Sequence, residues 1–551
     1  PVGRSQGPGP LGVAEAGAAA SGGWTPARSV AGGRNPWAIL SVISIATFMT
    51  TLDSSIANVA LDHIAGTTGS SYDEATWVLT TFLVAQAAIT PISGWLADVV
   101  GRKRYYMFSV FLFTFASFLC GICQDLTSLI LARILQGIGG GGLAPVEQSM
   151  LVDTFPPAKR SLAFAAYGIV VVAGPTIGPT LGGWLTDNFD WHWVFLINIP
   201  VGVLSLVLVH LFVDEPPAVV ERRKQLTRDG LKFDFPGFAL AALFLGALEI
   251  TLDRGQRLDW FSSPVIQATS IICVLSIAAF IPWELTRKDP VVKIRLFFQR
   301  NFAVASLLLM VVGLLIFGTT QFIPQLLQQV LGYTATDAGL ALTMGGVAIM
   351  VMMPVAGVLG GKVDPRLLIG FSLLIQSAAL WNMSHLNTEM SFSVAARARA
   401  FQALGLPFMF VPITAIAYVG LKPEESNQAS ALMNVMRNLG GSIGISMVQT
   451  LTAQRQQFHQ ARYVETLNPL NPDYTRGVDN IARVLQDNGQ PSAFAPQQAL
   501  GQLYGKLTQQ AAMLSYIDAF HLLMLITLGC LPLLLLLQGP GRTRPPAEAG
   551  A

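Results

Sequence analysis

Residues 302–323 read FAVASLLLMVVGLLIFGTTQFI, a stretch without one charged side chain. As an α-helix it is about 33 Å long, enough to cross the hydrocarbon core of a bilayer. Runs of the same kind recur along the chain, at 37–60, 76–97, 105–123, 127–149, 163–185, 194–213, 234–252, 264–285, 338–360, 367–384, 395–419, 429–450 and 517–538. Fourteen continuous runs predict an all-α membrane protein. A membrane β-barrel would show short alternating segments instead.

Composition agrees. The chain has 551 residues, of which 52% are hydrophobic and 12% charged. A soluble chain carries about twice that charge. A net charge of +2 offers no nucleic-acid surface. Cys120 and Cys123 form a C-x-x-C inside the apolar run FLFTFASFLCGICQ, where thiolates are disfavoured. They read as small helix residues, and no metal site or disulfide framework is expected. Absence of G-x-x-x-x-G-K-[ST] and of H-E-x-x-H removes an ATP cradle and a zinc protease site. The expectation is a non-enzyme without cofactor, driven by an ion gradient.

Lys and Arg set the orientation. One set of loops carries Arg102-Lys103-Arg104, Lys159-Arg160, Arg222-Arg223-Lys224, Arg287-Lys288, Lys293, Arg295, Lys362 and Arg366. The alternate short loops carry almost none; Arg254 and Arg257 are the exceptions. Both termini are therefore expected in the cytoplasm. Residues 1–36, rich in Gly, Ala and Pro, read as a disordered cytoplasmic tail, and 539–551 as a second tail. The polar excursion 451–516 falls outside, with Pro469, Pro472, Pro491 and Pro496 as breakers. Its last part places Leu500, Leu503, Tyr504, Leu507 and Met513 at helical spacing, for a short helix on the membrane, on a partner, or capping the protein itself.

The two ends of the chain resemble each other. GWLADVVGRKR at 94–104 returns as GVLGGKVDPR at 357–366. Arg133-x-x-Gln136-x-x-Gly139 returns as Arg399-x-x-Gln402-x-x-Gly405. This predicts two six-helix bundles, 37–213 and 301–538, related in parallel with the substrate site between them. A cytoplasmic linker and an inserted helix pair occupy 214–300.

Several residues are costly in a membrane and so point to function. Asp53, in the first-span stretch LDSSIANVAL (52–61), is a carboxylate able to hold a proton. Arg133 is a second embedded charge. Glu147, Glu249, Arg437 and Asp518 are others; Glu249, in the inserted pair, is expected to be structural. Gln136, Glu147, Arg437, Asn438 and Asn58 are candidate cavity residues. The fifth span carries Gly174-Pro175-x-x-Gly178-Pro179-x-x-x-Gly183, where Pro removes backbone donors and Gly allows close contact.

With these motifs the chain resembles the EmrB/QacA branch of the major facilitator superfamily, the fourteen-helix drug:proton antiporters. DEATWVLTTFLVAQA (73–87), ARILQGIGGGG (132–142), FPPAKR (155–160) and GPTIGPTLGGWLTDNFDWHWVFLINIPVG (174–202) carry the resemblance, which is strongest toward Gram-negative EmrB-like exporters. The first-span motif departs from the family form at Ser55, Ala57 and Asp62. The resemblance implies proton-coupled export of hydrophobic or amphipathic molecules, with Asp53 and Arg133 coupling protons and the 174–183 motif serving exchange. It makes Gly94, Asp98, Gly101 and Arg102 part of a cytoplasmic gating loop, degraded in its second copy, where Gly361 stands in place of an acid. It also implies a periplasmic adaptor and an outer-membrane channel as partners, with 451–516 the candidate contact. A solute importer on the same scaffold and a transport-inactive receptor or scaffold are the alternatives.

Overall fold

The structure is a computed structural model, and it describes residues 34–215, 220–221, 223, 233–287, 290–467 and 470–538. Residues 1–33 of the expected tail 1–36, and the whole expected tail 539–551, lie outside the described residues, as do Arg222, Lys224, Lys288 and Pro469.

Among the described residues, fourteen long helices account for the fourteen apolar runs. They are α1 (Pro36–Val59), α2 (Trp77–Val100), α3 (Arg102–Cys120), α4 (Leu126–Thr154), α5 (Pro157–Asn188), α6 (Trp193–Phe212), α7 (Phe235–Arg254), α8 (Pro264–Thr286), α9 (Arg300–Gln325), α10 (Ala335–Gly360), α11 (Pro365–Met383), α12 (Phe392–Ala417), α13 (Ser426–Thr466) and α14 (Ala495–Gly529). Twelve are long and apolar enough to cross a membrane on composition alone. The other two are α3 and α13, whose average is lowered by Arg102, Lys103 and Arg104 in one and by Asn434, Arg437, Asn438 and Gln449 in the other. Both are packed into the bundle beside spanning helices, α3 on α4 and α13 on α9.

Polar side chains start several helices by accepting free backbone N–H groups. Asn35 does so for α1, Asp125 for α4 and Asp234 for α7, and Thr334 with Asp337 forms a capping box on α10. Gly141 and Gly142 break α4 into two segments, Leu126–Gly140 and Leu143–Thr154.

Packing reproduces the sequence repeat. In the first half α1 lies on α5, α2 on α4, α3 on α4, and α3 on α6. In the second half α9 lies on α13, α10 on α12, α11 on α12, and α11 on α14, the same pairs shifted by eight helices. The halves meet through α2 against α13 and α5 against α10, which are equivalent pairs under that shift. A pseudo-two-fold relation of parallel repeats produces this pattern. The inserted helices α7 and α8 pair with each other, and α7 rests on α2. The end of the molecule that carries Arg102 is called the basic end below.

The expectation for 451–516 needs correction. α13 runs on to Thr466, a 41-residue helix about 61 Å long, and α14 begins at Ala495. Between them lies a further helix, Pro472–Asp487. Pro472 and Pro496 therefore open helices instead of breaking them, since a first-turn residue needs no backbone N–H. The expected short helix near 497–516 is the start of α14. Its apolar residues also do not share one free face: Leu507 and Met513 are buried, while Leu500 and Tyr504 are exposed. Ala482 of the intervening helix packs with Ala495 and Ala499 of α14. Gln509 donates to the Val330 carbonyl and Gln510 to Thr388, so this region caps the chain's own second half.

Candidate functional site

Asp53 sits on α1 with no solvent exposure, and four helices converge on it. Arg133 of α4 donates through Nη1 to Oδ2 at 2.7 Å. Gln136, one turn further on α4, donates to Oδ1 at 2.9 Å, and Asn198 of α6 donates to the same oxygen at 2.7 Å. Ser117 of α3 accepts from both amides and donates to the Phe195 carbonyl. Arg133 is fixed in turn by the Val78 carbonyl at 3.1 Å, by Gln136 Oε1 at 2.6 Å and by the Phe82 ring 4.2 Å below its guanidinium. A buried ion pair survives only with such extra hydrogen bonds, and removing one partner costs about 3–5 kcal/mol.

The spacing of the sequence explains the construction. Arg133 and Gln136 are three apart and so share a helix face. Gly137, Gly139 and Gly141 let α4 press between α2 and α3: a Cβ at Gly137 would lie 2.4 Å from the Phe82 carbonyl oxygen, and one at Gly139 would lie 2.6 Å from the Phe113 nitrogen. Lysine cannot replace Arg133 here, because one ammonium cannot serve Asp53, Gln136 and Val78 in a plane. Arg133→Lys is expected to lower solute exchange in membrane vesicles at least tenfold, with protein level unchanged on an immunoblot. Near-normal exchange in Arg133→Lys and Arg133→Gln alike would reduce the residue to a topological anchor.

The second half repeats the arginine without the acid. Arg399 lies seven residues into α12, as Arg133 lies seven into α4. It donates to Thr319 at 2.8 Å, to Thr320 at 3.2 Å and to Gln402, which bonds Gln376. Thr319 of α9 takes the place that Asp53 holds on α1. Among the described residues, no carboxylate lies within ion-pair distance of Arg399.

A second acidic centre lies nearer the basic end. Glu147, fully buried on α4, accepts from Thr47 of α1 and from the Tyr106 hydroxyl of α3 at 3.2 Å. Tyr106 in turn reaches the Ile43 carbonyl. Glu147 thus sits among hydrogen bonds within the first half.

The halves lock together at the basic end. Asp98 of α2 accepts from Asn427 in the first turn of α13. Asn427 also accepts from Ser149, while Arg102 pairs with Asp153 and donates to Ser426 at 3.2 Å. Asn434 of α13 donates to Gln148 of α4 at 2.8 Å. Gly94 permits this approach, because a Cβ there would stand 2.9 Å from the Asn427 carbonyl oxygen. Gly101 turns the chain at φ +100°, a conformation that L side chains rarely adopt. In the second copy of the loop, Asp364 merely caps α11, and Gly361 lies beside α5.

The candidate cavity set does not hold together. Gln136 belongs to the Asp53 cluster and Glu147 to the Thr47–Tyr106 group. Asn58 is exposed near the end of α1, five residues past Asp53 and so on another face. Arg437 is half-buried on α13, where its backbone carbonyl permits only Gly313 opposite, and the Asn438 carbonyl accepts from Ser442. The fifth-span motif is corrected too. Gly174 and Gly178 touch α1 at Thr51 and Ser55, and the third contact is Gly182 against Ile56, while nothing lies within 4 Å of a Cβ at Gly183. This stripe seats α5 on α1 inside one half; contact with the other half uses Ala165, Gly168 and Thr176. Pro175 and Pro179 remain inside a continuous helix. Sequence reasoning missed Asn198, Ser117, Asp153 and Asn427. The first two were visible as lone polar residues within apolar runs, a sign of interhelical hydrogen bonding.

Two six-helix repeats flanking an inserted pair, with a charge cluster inside the first, define a membrane transporter architecture. The chain belongs to the Major Facilitator Superfamily, whose sequence pattern matches residues 43–445. It is 38% identical over 491 residues to the multidrug export protein EmrB of Escherichia coli K12, covering 88% of this chain and 93% of that one. It is 34% identical to the fatty acid resistance protein FarB of Neisseria gonorrhoeae, covering 92% and 96%. Among solved structures it is similar to the human organic anion transporter MFSD10, with TM-score 0.54 and 13% identity over 89% of this chain and 99% of that one, a likeness of fold.

Proposed function

We propose that this protein is a proton-coupled antiporter that exports hydrophobic or amphipathic small molecules, as the inner-membrane part of a three-part pump with both termini in the cytoplasm. The names of the two relatives support the solute class. The observation that carries the coupling is the Asp53 cluster: a fully buried carboxylate receiving three donors from two other helices.

Three hydrogen bonds to an ionised oxygen pair hold α1 against α4 and α6. A charge-assisted hydrogen bond contributes about 1.5–3 kcal/mol. Protonating Asp53 removes the charge and replaces one acceptor with a donor, so the clamp loosens where Arg133, Gln136 and Asn198 all present N–H groups. Losing the proton restores it. Because Gly174, Gly178 and Gly182 seat α5 directly on this part of α1, the change passes to α5, and α5 packs on α10 of the other half. The contacts at the basic end, Asp98–Asn427, Ser149–Asn427, Arg102–Ser426 and Gln148–Asn434, form the gate that must part for a cytoplasmic solute to enter.

Inverted membrane vesicles provide the test. With an acidified lumen they should accumulate a fluorescent amphipathic dye when the protein is present, and release it when a protonophore collapses the gradient. Accumulation with the opposite gradient would indicate an importer, and no gradient-dependent movement a receptor or scaffold.

The helix Pro472–Asp487 between the long α13 and α14 ends supports docking to a periplasmic adaptor, with Val484 on it and Leu470 just before it exposed. Replacing 468–492 by a flexible linker retains the Asp518 contacts with Arg455 and His459. It is expected to spare exchange in vesicles while abolishing whole-cell resistance to toxic compounds. Survival of resistance would remove the docking role.

A further inference from the structure

A cleft of about 370 Å³ lies away from the Asp53 cluster, between α7 with its cap, α13 and α14. Its walls are largely apolar: Leu252 and Trp260 on one side, Met447 and Leu451 on α13, Leu522 on α14. Through it runs a polar stripe at four-residue spacing, Ser442, Ser446, Thr450 and Gln454, of which the last three line the cleft. Among the described residues the buried Ser446 and Thr450 hydroxyls have no hydrogen-bond partner, and Ser446 is only 3% exposed. A dry wall gains nothing from two unpaired buried hydroxyls, since each costs about 1–3 kcal/mol.

At the foot of the stripe stands Glu249. It is 8% exposed and accepts from Ser442 at 2.7 Å, one turn of α13 below Ser446. On α7 it lies three residues before Leu252, on the same face. Among the described residues, no basic group lies within ion-pair distance of it. Neighbouring cations are engaged elsewhere: Arg254 with Asp253 and over the Trp77 ring, Arg257 with Asp73. An unpaired buried carboxylate in a membrane is costly unless a cation or proton joins it.

We propose that this cleft is a lateral binding site for amphipathic cations. The cationic head lies toward Glu249, the unpaired hydroxyls bond the head or its water, and the apolar body fills the space between Trp260, Met447 and Leu522. Trp260 adds cation–π attraction, and Met447 adapts to bodies of different shape. The site deepens the export reading by naming a solute class, and rests on that reading only for its purpose, because binding needs no proton gradient.

The experiment uses the full chain in lipid nanodiscs with Gln454→Cys, at an exposed position that lines the cleft. A small maleimide labels position 454, and mass spectrometry quantifies the tryptic peptide 438–455, which holds no other cysteine. Tetraphenylphosphonium is expected to slow labelling at least tenfold at saturation. Tetraphenylborate, of the same shape and opposite charge, should protect at least tenfold less well. Adding Glu249→Gln should raise the protecting concentration of the cation at least tenfold and leave that of the anion unchanged. Ser446→Leu, which fills the cleft and keeps the charge, should abolish protection by both; it carries the comparison if Glu249→Gln fails to insert. Equal protection by both ions, or a cation midpoint unmoved by Glu249→Gln and by Ser446→Leu, overturns the proposal. Cation binding without gradient-driven export in vesicles would sink the antiporter reading and leave this one standing; export without such binding would sink only this one.

Discussion

Asp53→Asn is expected to abolish gradient-driven solute exchange, by a hundredfold or more, while the protein still inserts. Asparagine is nearly isosteric, but it carries no charge and cannot take up or release a proton. Its one carbonyl oxygen can accept from Arg133 or from the amides of Gln136 and Asn198, and its NH2 would face donors. The Arg133 guanidinium would then be buried without a counter-ion, in a site with no solvent exposure. Breaking a buried pair costs about 3–5 kcal/mol. Part of that is recovered, because Arg133 keeps Val78, Gln136 and the Phe82 ring. The bundle is held by fourteen helices, so a deficit of this size is expected to lower thermal stability without preventing assembly. Exchange rates in vesicles, normalised to protein content, separate the two effects. Normal proton-linked exchange by Asp53→Asn would show that another group carries the proton, and Glu147 would be the next to test.

Gly178→Leu has the second large effect. A Cβ at this position would stand 2.6 Å from the Ser55 Cβ and 2.5 Å from its Oγ. Leucine adds three further carbons, so α5 and α1 must separate at a level two residues from Asp53. Overpacking of a tight contact costs about 1–3 kcal/mol. Misplacing a functional group by about 1 Å can cost a hundredfold in rate. Exchange should therefore fall at least tenfold, with the protein still present in the membrane. Gly183→Leu is the internal control: a Cβ there meets nothing within 4 Å, and leucine is the better helix former. It should retain near-normal exchange. Equal loss in both variants would mean that the whole motif needs glycine for reasons other than contact with α1, and loss of Gly178→Leu from the membrane altogether would make the motif structural.

The sequence by itself determined the class of fold, the spans and the repeat. Hydrocarbon supplies no hydrogen-bond partners, so a spanning chain has to form helices of nearly fixed length, and length with hydropathy is legible locally. The same cost argument singled out Asp53 and Arg133, because charge in a membrane needs a reason. What tertiary structure decided was pairing. Nothing local says that Asn198, 145 residues from Asp53, shares its oxygen with Gln136. Nor does the motif spacing show that Gly182, and not Gly183, faces α1: adjacent helical positions differ by about 100°, and only the neighbour determines which one is buried. Part of the expectation for 451–516 failed for a related reason. Prolines read as breakers when the helix boundaries are unknown, yet at a first turn they begin helices, and whether Leu507 is buried depends on what packs beside it. Local chemistry fixed which elements exist and which residues are costly; contacts between residues far apart in the chain fixed where each cost is met.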